Sequence, residues 1–168
     1  MGNRSEDNQR DTEHQKFLAR AVKLAQDNVT REGGRPFGAV LVRGGRIVAE
    51  AVNTIHRSAD VTAHAEIEAL RAATTAAGNH RLDGAVMYAS GHPCPMCLAA
   101  MYLSGVSAIY YALSLKDAEP YGISTDDIYQ ELAKPPASRQ IPMEHIHVMA
   151  AEKLYPSWSQ TKANDGPA

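Results

Sequence analysis

The sequence predicts an α/β fold in which helices cover a mixed five-stranded sheet. Three observations support this prediction. The 168 residues suit one domain, and segments with helical apolar spacing alternate with short runs of apolar and β-branched residues. The first two runs form a hairpin, whereas helices separate the later runs, so right-handed crossovers make the later strands parallel. The expected element order is α-β-β-α-β-α-β-α-β-α.

The first predicted element is an amphipathic helix over residues 11–31. Phe17, Ala21 and Ala25 recur there at helical spacing, and a Gly-Gly pair ends the pattern. The residues before this helix are polar and lack apolar periodicity. We therefore expect a disordered tail over 1–10, a single domain over 11–162 and a flexible tail over 163–168.

The hairpin comprises residues 36–42 and 47–52, which flank a Gly-Gly turn. A second helix over 63–77 is rich in strong helix formers and ends at a Gly-Asn pair. His145 and His147 alternate on the last predicted strand and are expected at the edge of the core rather than as ligands. The later elements are a strand at 85–90, a helix at 97–104, a strand at 106–112, a loop at 116–124, a helix at 126–133, a strand at 144–149 and a helix at 150–161.

Composition excludes several classes of protein. Seventeen Lys and Arg against nineteen Asp and Glu give a net charge of −2 without a basic block, so binding to long nucleic acids is not expected. No apolar run approaches the roughly 18 residues of a membrane span, and the polar N-terminal segment does not resemble a signal peptide. We expect a cytoplasmic protein that does not contact a membrane.

Two strand-to-helix junctions carry residues suited to metal chemistry. His64 and Glu66 open the second predicted helix, and Cys94 and Cys97 open the third. Two cysteines three residues apart on the first turn of a helix direct both sulfurs at one point, and a histidine from a neighbouring helix start completes three ligands for zinc. Three protein ligands leave a fourth position for water, which is typical of catalytic zinc. Glu66 is then the expected general base and acid.

Each of these residues also has a simpler interpretation. Cys94 and Cys97 taken alone would also fit a redox pair, and an isolated Glu66 would be a solvated helix residue. Phe37 taken alone is a core aromatic residue, and Asn53 is a turn residue at the end of a strand. The metal interpretation depends on the histidine motif and the cysteine motif occurring together.

Together, the two motifs resemble the pattern H-x-E followed by P-C-x-x-C of zinc-dependent nucleobase deaminases. Over residues 15–160 the chain resembles the cytidine deaminase-like superfamily, and it is most similar to small bacterial guanine deaminases and to tRNA adenosine deaminases. The resemblance implies a three-layer α/β/α sandwich with a mixed five-stranded sheet. The matching segments are Pro36–Val40, Asn53, Thr62–Glu66 and Pro93–Leu98.

The resemblance also implies a role for individual residues. It implies a bound zinc ion, a general acid and base, and a pocket for a small-molecule nucleobase. The implied site comprises the zinc ligands His64, Cys94 and Cys97, the proton shuttle Glu66, and the substrate-binding residues Phe37, Asn53 and Ala65, the last through its backbone amide.

The C-terminal part favours the guanine deaminases. Asp127–Leu132, Lys134–Pro135 and the stretch Arg139–Pro142 are similar to the segment before their last strand. A tRNA-modifying enzyme is expected to carry basic residues near its end, whereas this tail is nearly neutral. The resemblance therefore implies hydrolytic deamination of a free aminopurine base, guanine to xanthine and ammonia. The alternatives are another substrate (cytosine, guanosine, a triazine such as ammeline, or tRNA adenosine) and a zinc-binding module without turnover.

Three departures from the guanine deaminases bear on the substrate. Gly122–Thr125 reads Gly-Ile-Ser-Thr where they carry Gly-Phe-Asp-Asp, so Asp126 or Asp127 is the expected second acidic proton shuttle. A Gly-His-Pro sequence replaces Cys-Glu-Pro before the cysteines, so His92 is either a surface turn residue or a substrate-binding group. Leu103 stands where a pocket tryptophan is usual. The resemblance further implies a homodimer in which the C-terminal helix is exchanged between subunits.

Overall fold

The computed structural model describes residues 4–164, with side chains over residues 11–160. The chain divides into two compact units after Tyr129. None of the described helices combines the length and the apolar character that crossing a bilayer requires. Short 3-10 helices lie at Glu119–Tyr121, Pro136–Ser138 and Met149–Lys153. The helices and strands of the described residues are α1 Arg4–Glu32, β1 Gly38–Arg43, β2 Arg46–Val52, α2 Ile55–Ser58, α3 Ala65–Ala77, β3 Ala85–Gly91, α4 Pro95–Ser104, β4 Ala108–Leu113, α5 Leu115–Ala118, α6 Asp126–Ala133 and α7 Leu154–Asn164.

The first unit contains a sheet with the strand order β2-β1-β3-β4. Strand β1 pairs antiparallel with both β2 and β3, whereas β3 and β4, which α4 connects, run parallel. The hairpin turn lies at Gly44 and Gly45, whose φ angles of 57° and 73° favour glycine because it has no Cβ. The predicted hairpin and mixed sheet are therefore confirmed.

Helices cover both faces of this sheet. On one face, α1 packs Phe17 against Val40 and Tyr88. On the other face, α3 and α4 pack against Leu41 and Met87. Full burial of an apolar side chain of this size contributes roughly 1.5–3 kcal/mol to folding. The central strands β1 and β3 thus lie between two helical layers, as the three-layer prediction requires.

Two helical segments differ from the prediction. Helix α1 begins at Arg4 rather than at residue 11, because residues 4–10 contain neither proline nor glycine, which would interrupt a helix. Within the stretch 116–124, which was expected as loop, residues 116–121 belong to α5 and a 3-10 helix, since Ser114 and Asp117 make a capping box. The predicted tails fall partly on residues 1–3 and 165–168, which lie outside the described residues.

The second unit holds the end of α6, two 3-10 helices and α7. The strand predicted at 144–149 is wrong: a strand needs a neighbouring strand for its hydrogen bonds, and the residues at 140–160 are all exposed. His145 and His147, expected at the edge of the core, are exposed as well. Within the described residues the sheet therefore has four strands rather than five.

Candidate active site

The N-termini of α3 and α4 bring one histidine and two cysteines together. His64 is the N-cap of α3 and Cys94 is the N-cap of α4, and both have extended backbone angles without a capping hydrogen bond from their side chains. Pro95 begins α4, where its missing N–H costs no helical hydrogen bond. Cys97 follows on the same helical turn, so all three side chains reach a common point.

The distances within this cluster fit a zinc ion. The Sγ atoms of Cys94 and Cys97 lie 3.5 Å apart, and Nδ1 of His64 lies 3.5 Å and 3.6 Å from them. A tetrahedral zinc with Zn–S bonds of about 2.3 Å and a Zn–N bond of about 2.0–2.1 Å requires separations of about 3.5–3.8 Å. The donor set therefore suits zinc in both chemistry and spacing.

Electrostatics favour ionisation of one of the two thiols. The hydrogen bond to Cys97 and then the one to His64 lower the pKa of the Cys94 thiol, although burial opposes the change. The hydrogen bond to Cys94 and burial raise the pKa of the Cys97 thiol. The hydrogen bond to Cys94 raises the pKa of His64. Because thiolate, rather than thiol, is the metal ligand, a lowered cysteine pKa prepares the site for a cation.

A buried carboxyl group lies beside the cluster. Glu66 is the second residue of α3, its side chain is only 5% exposed, and its Oε2 lies 3.5 Å from Sγ of Cys97. Burial raises the pKa of this carboxyl because the charged form loses its hydration. A carboxyl with a raised pKa can both accept and donate a proton near neutral pH.

A cavity of about 510 Å³ opens onto the cluster and is predominantly apolar. His64, Cys94 and Glu66 contribute to its inner wall, and Phe37 and His92 also line it. Small-molecule sites have volumes of roughly 300–1,000 Å³ and apolar walls with a few polar groups. The arrangement can hold a flat heterocycle against a metal and a proton carrier.

The other predicted substrate-binding residues lie near this cavity with distinct environments. Ala65 is buried, and as the first residue of α3 its N–H has no acceptor within the helix. Asn53 is 1% exposed and is not among the lining residues. Its Oδ1 accepts a hydrogen bond of 3.2 Å from the Ile55 N–H, while its buried Nδ2 has no hydrogen-bond partner within the described residues.

The predicted acidic shuttles and the cavity do not coincide. Asp126 and Asp127 are the first two residues of α6, whereas the residue of this segment that lines the cavity is Thr125. Besides Glu66, an acid that does line the cavity is Asp117, which accepts hydrogen bonds from the backbone N–H and the hydroxyl of Ser114. The S-x-x-D spacing of this capping box could have revealed Asp117 in the sequence.

A second residue that sequence reasoning did not identify is Tyr129 of α6. Its hydroxyl donates a hydrogen bond of 2.7 Å to the carbonyl oxygen of Pro93, directly before Cys94. No local pattern connects positions 93 and 129, because only the fold brings them together.

Comparison with known proteins agrees with this geometry. A family model for the cytidine and deoxycytidylate deaminase zinc-binding region matches residues 11–113. The guanine deaminase of Bacillus subtilis is 41% identical over 145 residues, which cover 86% of this chain and 93% of that protein. Its X-ray structure matches with a TM-score of 0.83 at 40% identity and covers 88% of this chain and 94% of that chain.

Two further relatives match a smaller part of the chain. A tRNA-specific adenosine deaminase of Agrobacterium fabrum is 46% identical over 76 residues, which cover 45% of this chain and 50% of that protein. A guanine deaminase structure from Nitrosomonas europaea matches with a TM-score of 0.61 at 28% identity and covers 65% of this chain and 63% of that chain. The matched family region contains His64, Cys94, Cys97 and Glu66, and the chain belongs to the cytidine and deoxycytidylate deaminase family.

Proposed function

We propose that the protein is a zinc-dependent aminohydrolase that converts guanine and water into xanthine and ammonia. One observation carries this proposal: the buried Glu66 carboxyl lies 3.5 Å from Cys97 in the His-Cys-Cys cluster, on the wall of a cavity. A metal that only stabilised the fold would need no proton carrier beside it. The guanine deaminase relative, similar along nearly its whole length, supports guanine as the substrate.

The residues of the chain divide the chemistry among them. When bound by His64, Cys94 and Cys97, zinc would lower the pKa of a water molecule toward neutrality and so make hydroxide available. Glu66 accepts the proton that the water loses and delivers it to the ring nitrogen as the carbon–oxygen bond forms. It then accepts the proton of the added hydroxyl group and delivers it to the amino group, so that the carbon–nitrogen bond breaks, the carbonyl group forms and ammonia leaves.

Recognition of the base is proposed for Phe37, Asn53 and Ala65. The half-buried Phe37 ring lines the cavity and offers its surface to a planar heterocycle. The Ala65 N–H and the buried Nδ2 of Asn53 are donors without a partner among the described residues. Since an unpaired buried donor is unfavourable, a ring nitrogen or carbonyl oxygen of the base is a suitable acceptor for each.

A second proton carrier is proposed at Asp126 or Asp127. Both are at the start of α6, one and two residues beyond the cavity-lining Thr125. Replacement of each by Asn separates the two, and the residue that carries protons should lose at least about tenfold in kcat. If both variants keep the wild-type kcat, Glu66 is the sole proton carrier among these acids.

A homodimer with exchange of the C-terminal helix is also proposed. The second unit exposes many large apolar side chains, which a second copy of the chain would cover. The exposed residues are Leu132, Ile141, Met143, Ile146, Val148, Met149, Leu154, Tyr155 and Trp158. We also propose a cytoplasmic location for the protein.

Ammonia release by the zinc-loaded protein tests the function. The panel comprises guanine, guanosine, adenine, cytosine and ammeline. Turnover of guanine well above the others is expected. Turnover of another amine alone would reassign the substrate, and zinc binding without ammonia from any compound would indicate a binding module.

A further inference from the structure

The carbonyl oxygen of Pro93 accepts two hydrogen bonds. One comes from the Tyr129 hydroxyl at 2.7 Å, and the other involves Nδ1 of His92 at 2.9 Å. A carbonyl oxygen has two lone pairs and no proton to give, so both partners must donate. Nδ1 of His92 therefore carries the proton, and the two lone pairs of Pro93 are both used.

Two tyrosines hold the His92 ring in place. The ring contacts Tyr111 edge-on at a centroid distance of 4.7 Å and Tyr129 at 5.5 Å, with interplanar angles of 65° and 85°. His92 is half-buried, so these rings restrict its rotation. Tyr129 thus orients His92 in two ways. Its ring contacts the His92 ring, and its hydroxyl fixes the Pro93 carbonyl that accepts the hydrogen bond from Nδ1 of His92.

The other ring nitrogen of His92 is available. Nε2 makes no hydrogen bond within the part of the chain that the structure describes, and His92 lines the same cavity as Glu66 and Phe37. In a neutral imidazole with Nδ1 protonated, Nε2 is a hydrogen-bond acceptor. Asp117 lines the same cavity, but its carboxylate already accepts two hydrogen bonds from Ser114, whereas Nε2 of His92 is available to a ligand.

We propose that His92 is a substrate-recognition residue whose Nε2 accepts a hydrogen bond from a ring N–H of the bound heterocycle, and that Tyr129 is the residue that positions it. The inference rests on the proposed function, since the ring N–H belongs to the base in the cavity. Guanine carries such N–H groups, and an unprotonated imidazole nitrogen is a suitable acceptor for them. Burial raises the pKa of Tyr129 to about 12, so its hydroxyl keeps the proton that it donates.

The tautomer of His92 can be measured without any substrate. The zinc-loaded protein is labelled with ¹⁵N-histidine at a pH where the ring is neutral, and His92→Phe assigns the signals. We expect Nδ1 to be protonated and Nε2 to be unprotonated in the wild type. Tyr129→Ala removes both the ring contact and the hydrogen bond that fixes the Pro93 carbonyl, so it should shift the population toward the Nε2–H form while the zinc content stays the same. A wild-type ring protonated at Nε2, or a Tyr129→Ala ring with an unchanged tautomer, would overturn the corresponding half of the proposal.

Kinetics test the contact with the base. His92→Phe keeps an aromatic ring but removes the acceptor, and kcat/KM for guanine should fall about 10- to 100-fold. His92→Gln, which retains an acceptor, should recover part of this loss, and the exposed His80→Phe serves as the matched control. Wild-type kcat/KM in His92→Phe would contradict the recognition role.

Methylated guanines sharpen this test. Methylation of the contacted ring nitrogen should reduce kcat/KM in the wild type and cause little further loss in His92→Phe. Equal losses in both proteins for the 1-, 7- and 9-methyl compounds would contradict the contact. A wild-type protein inactive on every base would overturn the proposed function and the recognition step, whereas the tautomer result would stand on its own.

Discussion

The two compact units differ in how far they bury their apolar residues. The first unit buries Leu41, Met87 and Met101 almost completely between its sheet and helices. The second unit leaves Ile146 at 75% and Trp158 at 60% exposure, and none of its described side chains is buried. The first unit therefore has a core of its own, whereas the described side chains of the second unit form none.

The residues of the candidate active site therefore lie in the first unit, whereas the apolar residues proposed to form a dimer lie in the second. The His-Cys-Cys cluster, Glu66 and the cavity all belong to the first unit, whose core fixes the starts of α3 and α4. Burial of apolar area drives both folding and association. We therefore expect changes in the first unit to alter chemistry and stability, and changes in the second to alter association.

The largest expected effect comes from Cys94→Ala. Removing one of three zinc ligands should abolish zinc binding and ammonia release. At a free zinc concentration 100 times the Kd, loss of binding lowers the free energy of unfolding by about 2.7 kcal/mol. This change is equivalent to a fall in Tm of about 5–10 °C for a chain of this size. Metal analysis and thermal unfolding measure both changes. A Cys94→Ala protein that retains one zinc per chain would contradict the assigned ligand set.

A smaller loss is expected from Gly38→Ala in the core of the first unit. The added Cβ would lie 2.4 Å from the Ala21 carbonyl oxygen, so α1 must move away from β1. Such overpacking costs about 1–3 kcal/mol. Urea unfolding should show this loss of stability. Gly91→Ala serves as the control: its Cβ would lie 3.4 Å from Phe37, and the free energy of unfolding should change by less than about 1 kcal/mol. Equal stabilities for the two variants would mean that α1 is not packed tightly on the sheet.

In the second unit, the double variant Ile146→Ser and Trp158→Ser should change association rather than folding. Exposed side chains contribute within about 0.5 kcal/mol to the stability of a single chain, but the same side chains would lie between copies in the proposed dimer. Light scattering should show a dimer for the wild type and a shift toward monomer for the variant, with Lys153→Ser as control. A wild-type monomer would refute the dimer.

The smallest effect is expected from Arg139→Ala, also in the second unit. The guanidinium donates hydrogen bonds of 3.0 Å and 3.1 Å to the carbonyl oxygens of Leu132 and Lys134 at the end of α6. Because these bonds are exposed, their loss should cost only about 0.5–1 kcal/mol. Faster hydrogen exchange confined to the last turn of α6 would agree, and a global loss of protection would show that the second unit is more cooperative than its exposure indicates.

The sequence was sufficient to predict that one histidine and two cysteines come together, because each donor lies at a helix start that a local pattern reveals. His64 opens α3, and Cys94 and Cys97 share the first turn of α4, so helix starts determine where the donors point. The hairpin and the parallel crossover were predictable for the same reason, since turn residues and helical periodicity are encoded in short segments.

The features that escaped prediction depend on distant residues or on small offsets. The alternation around His145 and His147 indicated a strand, but no sequence pattern shows which strand would pair with it. Asp126 directly follows the cavity-lining Thr125, and an offset of one position at a helix start redirects a side chain. The contact between Tyr129 and Pro93 spans 36 positions, and folding alone brings it about.

Ammonia release from guanine by the wild type and by Glu66→Gln, at equal zinc content, tests the central claim most directly. The claim is that this buried carboxyl carries the proton in a zinc-dependent deamination. Loss of a general acid and base should lower kcat about 10²- to 10⁴-fold while zinc stays bound. A Glu66→Gln protein that binds zinc and releases ammonia at the wild-type rate would contradict the claim.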